Sequence, residues 1–102
     1  MEYKIKSVNL VKETILDHGK SNRVYLVEIE VLTYKFLFIP NIKTHSVGYS
    51  VNVYHHNNYR YSPSILSDDD EIESYFAKKN YEFADRVELF LLKLKLKGII
   101  GG

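Results

Sequence analysis

Through much of the stretch from Arg23 to Val53, apolar side chains fall on every second residue, whereas beyond Ser67 they fall on every third or fourth. One kind of element cannot satisfy both periods: alternation lays one face of a strand on a core, and three- and four-residue steps lay one stripe of a helix on it. The change of period divides the chain into a sheet-forming portion, 1–63, a helical portion, 67–97, and a short flexible tail, 98–102. The expected fold is α+β: an antiparallel, meander-like sheet of four to five strands packed by one or two C-terminal helices. At 102 residues and 45% hydrophobic content the chain suits a single domain with one core.

Residues 3–16 read as the first strand, with a bulge near Ser7 to explain why the apolar set changes from Tyr3 and Ile5 to Val8 and Leu10. Asp17 to Asn22 carries turn residues. In the next strand Tyr25, Val27, Ile29 and Val31 share a face, and parity then flips to Tyr34, Phe36 and Phe38. A hairpin turning at Leu32-Thr33 accounts for the flip by setting Val31 against Tyr34 and Ile29 against Phe36; one long strand with a bulge is the fallback. Most of the phenylalanines are then expected in the core. Pro40 closes that strand, and Val47, Tyr49, Val51 and Val53 define the next. A tight turn at Asn57-Asn58 would pair His56 with Tyr59 and Tyr54 with Tyr61, and Ser62-Pro63 would end the sheet.

Ser67 ahead of Asp68, Asp69, Asp70 and Glu71 reads as a helix cap and an acidic first turn. The apolar stripe continues from Ile72 to Leu94, with Asn80 a point at which it can split in two. Residues 92–97 alternate like a strand but continue that stripe without a breaker, and are read as helix.

Composition excludes several chemistries. Without cysteine there is no disulfide, thiolate metal site or cysteine nucleophile, and a reducing, cytoplasmic setting is expected. A formal net charge of +1 supplies no field for nucleic acid or an anionic membrane, and no window approaches the roughly 18 apolar residues of a membrane span. The first residues lack the build of a signal peptide, so export is not expected. His55 and His56 are adjacent, and on a strand would point to opposite faces; the histidine-pair spacing of rolling-circle nucleases is absent. Asp68 to Asp70 lacks the alternating ligands of a calcium loop. No nucleophile elbow or phosphate loop occurs, so neither catalysis nor a cofactor or metal is expected. The terminal Gly101-Gly102 is reminiscent of ubiquitin-like tails, but a helix precedes it here instead of a strand.

The chain holds nine tyrosines, and Tyr54, Tyr59 and Tyr61 fall with Asn52 and His56 on the sheet face opposite the valines. With Arg60 these form the candidate partner-binding residues, on a face expected to stay wet while helices cover the valine side. An aromatic ring contributes much contact area for little lost side-chain freedom, and its hydroxyl still hydrogen-bonds. The reading is a non-catalytic protein-binding module of the kind found among inhibitors, immunity proteins and phage-type anti-defence proteins. The alternative is a single-stranded nucleic-acid-binding protein stacking bases on the same tyrosines; RNA-recognition domains do so, but their strand order and signature are missing. A small enzyme or nuclease is the lesser alternative. A homo-oligomer is left open, and no membrane partner is expected.

Overall fold

The structure, a computed structural model, describes residues 2–36 and 38–98. Four antiparallel strands, β1 (Glu2–Leu16), β2 (Lys20–Lys35), β3 (Ile39–Tyr54) and β4 (Tyr59–Leu66), lie in sequence order, followed by helices α1 (Asp70–Ala77) and α2 (Asn80–Leu96). The expected α+β meander with two C-terminal helices is the fold observed.

Both helices pack on the valine face. Val27, Ile29, Val47, Tyr49, Val51 and Val53 are buried against Ile72, Phe76, Phe83 and Val87. The aromatic members interlock, with Phe76 and Phe83 centroids 4.8 Å apart and Phe83 edge-on to Tyr49 at 5.7 Å. Burial pushes the Tyr49 phenol well above its ordinary range, and Tyr25 and Tyr3 shift the same way for the same reason. The Tyr49 hydroxyl is buried without a hydrogen-bond partner among the described residues.

The bulge expected near Ser7 is present: Ile5 pairs Ile29 and Ser7 pairs Glu28, leaving Lys6 as the extra residue. A second bulge at Val11 follows the same logic, since Leu10 pairs Tyr25 and Lys12 pairs Val24. The first turn is shorter than expected, Asp17 to Gly19, with His18 and Gly19 at positive φ, and residues 20–22 already belong to β2.

The Leu32-Thr33 hairpin does not form. β2 runs unbroken through it, which is the single long strand of the fallback, but its register with β3 is continuous from Lys20↔Tyr54 to Lys35↔Ile39, so no bulge accompanies it. The chain reverses at Phe36–Phe38 instead, where Phe38 N donates to Phe36 O at 2.8 Å. The flip of apolar parity has another cause: helix cover ends near Val31, and beyond it no buried face remains to dictate which positions are apolar. Phe36 and Phe38 are 86% and 83% exposed, not core. Pro40 does not close a strand; it is the second residue of β3, opposite Tyr34, where β3 has only one neighbour and the missing donor costs no ladder bond.

The second turn spans four residues, His55 to Asn58, with Asn58 at φ 56° and Asn57 Oδ1 accepting from Tyr59 N at 2.9 Å. Tyr54 therefore pairs Tyr59 and Asn52 pairs Tyr61, two residues out of the expected register. Ser62-Pro63 does not end the sheet. Ser62, at φ 53°, is the extra residue of a bulge opposite Val51, after which Pro63 and Ile65 turn inward and β4 continues to Leu66.

Helix α1 begins two residues later than expected. Its cap is Asp69, whose carboxylate accepts from the Glu71 and Ile72 amides at 3.0 Å, while Ser67 Oγ accepts from Asp69 N one turn earlier. The helices divide at Asn80, whose Nδ2 donates to the Pro63 carbonyl at 2.9 Å and ties the break to the β4 bulge. Residues 92–96 are helical. Beyond Gly98, the expected flexible tail lies outside the described residues.

Candidate functional site

The face of the sheet turned away from the helices carries the tyrosines. Because strands alternate, the odd residues of β2 and β3 go under the helices and the even ones stay open. A pairing error of two residues preserves parity, which is why Tyr54, Tyr59 and Tyr61 share the open face despite the unforeseen turn length. Ring centroids are 5.0 Å apart for Tyr54–Tyr61, 6.0 Å for Tyr54–Tyr59 and 6.3 Å for Tyr59–Tyr61, the last pair stacked at 14°. His56 meets Tyr54 edge-on at 6.1 Å, and Lys20 Nζ stands 5.1 Å from the Tyr54 ring centre. Tyr59 is 59% exposed; Tyr54 and Tyr61 are half-buried by their neighbours and by each other.

The next rungs add polar and apolar ground. Asn22 Nδ2 reaches Asn52 Oδ1 at 2.9 Å and Ser50 Oγ at 3.0 Å, which holds Asn52 in place beside Tyr61. One rung further, Gly48 lies between the exposed Leu26 and Leu66, to which it pairs on either side. A Cβ there would make ordinary van der Waals contact with Leu66, its nearest atom 3.8 Å away, so the shallow gap between the leucines has room for a methyl group.

Of the expected residues, Asn52, Tyr54, His56, Tyr59 and Tyr61 come together. Arg60 does not: lying between Tyr59 and Tyr61, it falls on the helix side. There it donates to the Ala84 carbonyl at 3.1 Å and pairs with Asp85 at 3.4 Å, holding α2. Lys20 and Asn22 were missed because they were assigned to the first turn; Leu26, Gly48 and Leu66 become neighbours only through the β2–β3–β4 register.

His55 and His56 do take opposite sides. His55 Nε2 lies 2.8 Å from Ser21 Oγ, which also donates to Glu13 Oε2 at 3.4 Å, and Glu13 pairs with Arg23 at 2.6 Å. The Arg23 hydrogen bond holds the Glu13 carboxyl below its usual range. These residue types occur in hydrolytic triads, but the Ser21 side chain is sealed from solvent and its hydroxyl shared between both neighbours, an arrangement that pins the corner where the two turns meet. Among the described residues no three His, Asp or Glu cluster as metal ligands, and no helix is long and apolar enough to cross a membrane.

The fold and this face define a four-stranded antiparallel meander backed on one side by two C-terminal helices and bare, with an aromatic cluster, on the other. No protein-family model, curated protein or solved structure matches the chain.

Proposed function

We propose that the protein is a non-catalytic binding module that engages another protein through the open sheet face, with Tyr54, Tyr59 and Tyr61 as anchors. The observation that carries this reading is the mutual packing of three tyrosine rings on a face no helix covers. Their rotamers are already restricted by one another, so a partner would bury them at little entropic cost. Asn52, held by Asn22, supplies directional hydrogen bonds beside them.

The sheet edges favour a face over strand addition. The outer strand β1 carries two bulges and Lys4, Lys6 and Lys12, and the opposite edge, β4, carries a bulge and Pro63. Such features discourage a further strand from pairing. Charge favours protein over nucleic acid, because Lys4, Lys6, Lys12 and Lys20 on the open side are offset by Glu2, Glu28 and Glu30 and leave no basic track. The small, cysteine-free chain fits an inhibitor, immunity or anti-defence protein acting in the cytoplasm. Lys20 over the Tyr54 ring supports a second reading, single-strand stacking on the same rings.

The test is affinity capture with the wild type and a Tyr54→Ala/Tyr59→Ala/Tyr61→Ala variant whose circular dichroism is unchanged. The variant is expected to lose the captured protein; retaining it in full would refute the site. Binding of a labelled single strand that weakens steeply with salt would select the second reading.

A further inference from the structure

The longest dimension of the molecule, 53 Å, and a radius of gyration of 15.0 Å, against about 13 Å for a compact chain of this length, reflect an arm. Beyond the Glu2↔Leu32 pair, β2 and β3 continue with no third strand beside them among the described residues. A two-stranded ribbon is marginal in water, yet this one exposes Tyr34, Phe36, Phe38, Ile39 and Ile42. Together these present roughly 600 Å² of largely apolar surface, the upper limit of what monomers leave open.

At the base of the arm, on the open side, lies a notch of about 220 Å³ lined by Glu2, Tyr3, Lys4, Glu30, Leu32 and Ile42. Its floor is apolar, and its rim carries two carboxylates, one already paired with Lys6 at 3.2 Å, against Lys4. Residues 31–43 contain two lysines and no carboxylate, whereas the two rim carboxylates are balanced by Lys4 and Lys6, so an arm laid over the notch meets no excess of like charge. Tyr34, on the same side as the notch, lies midway between the Leu32↔Ile42 rung and the turn, about 7 Å from each.

We propose that two copies of this chain cross their arms antiparallel about a twofold axis at Tyr34, each placing Phe36 and Phe38 in the other's notch. Both ends of the arm are then used in one isologous contact, the commonest symmetry of soluble dimers. With Ile39 on the other side of the ribbon it buries about 1,000 Å² in total, the small end of specific interfaces, so the dimer is reversible. The blunted outer edges of the sheet leave the arms as the place where copies join.

Sedimentation velocity of the full chain from about 1 to 300 µM tests this. The wild type is expected to pass from monomer to dimer in that range, and Phe36→Ser/Phe38→Ser and, separately, Ile42→Lys to raise the dissociation constant roughly tenfold or more, with circular dichroism unchanged. Since the chain has no cysteine, Tyr34→Cys is expected to oxidise to a covalent dimer, and Tyr59→Cys, near the far end of the sheet, is not. A wild type monomeric throughout, a dimer that the double variant leaves intact, or cross-linking at Tyr59 but not Tyr34 would each overturn the proposal. So would a monomer that pellets with phosphatidylserine vesicles through Phe36 and Phe38, which would assign the tip to a lipid surface.

Discussion

The two faces of this sheet are made from the same strands, one residue out of step, and they serve opposite ends. On the helix side Val27, Val47, Tyr49 and Phe83 are fully enclosed, and their identity is set by what they touch. On the open side Leu26 and Leu66 stand exposed, and Tyr59 leans only on the neighbouring Tyr54 and Tyr61 rings, so no contact with the core sets their identity. Side chains that fold the molecule and side chains free for a partner are thus separated by the thickness of one sheet, so one can be altered with little effect on the other.

The sharpest way to break this contrast is to cut into the covered face. Phe83→Ala removes a ring packed on Phe76, Tyr49 and Tyr3 and is expected to lower unfolding free energy by about 3–5 kcal/mol in urea titration. Tyr59→Ala, its counterpart on the open side, should stay within about 0.5 kcal/mol of wild type. Comparable losses at the two sites would mean the open face is structural. A smaller effect of opposite sign is expected at Tyr49, whose hydroxyl is desolvated without a partner among the described residues. Tyr49→Phe keeps the ring contacts and should raise stability by about 1 kcal/mol; destabilisation would show that the hydroxyl has a partner after all.

The smallest effect concerns the corner between the faces. Because Arg23 lowers the Glu13 pKa below its ordinary 4.5, the stabilisation is present above that value and lost as pH falls through the lowered one. Glu13→Gln should be slightly less stable than wild type at pH 7, and the two urea midpoints should converge on acidification. Parallel curves would dismiss the pair as inert.

The sequence was most legible where a core enforced it. The valine alternation, the bulge after Ile5 and the tyrosine face all follow from period two beside a buried surface. The arm was misread because Tyr34, Phe36 and Phe38 imitate a core-facing strand although no helix reaches them. The second turn was misread because Asn57-Asn58 satisfies a two-residue loop as well as a four-residue one, and only the pairing of Val53 with Arg60 decides between them. Ser67 lost the cap to Asp69, since either side chain can accept an amide and the choice depends on where α1 meets the sheet.

In the ribbon order β1–β2–β3–β4, each strand finds its neighbour as soon as both exist, but the inward side chains of the sheet are covered later. The Tyr3 ring is closed by Phe76, Phe83 and the Arg86 guanidinium, 4.5 Å from its centre, all from the last third of the chain. During translation the cover over Tyr3 therefore waits for α1 and α2, although β1 is already paired with β2. Until α2 leaves the ribosome, the hydrophobic side of a finished sheet stands uncovered, which makes the synthesis of residues 67–96 the interval in which a nascent chain most needs shielding from its neighbours.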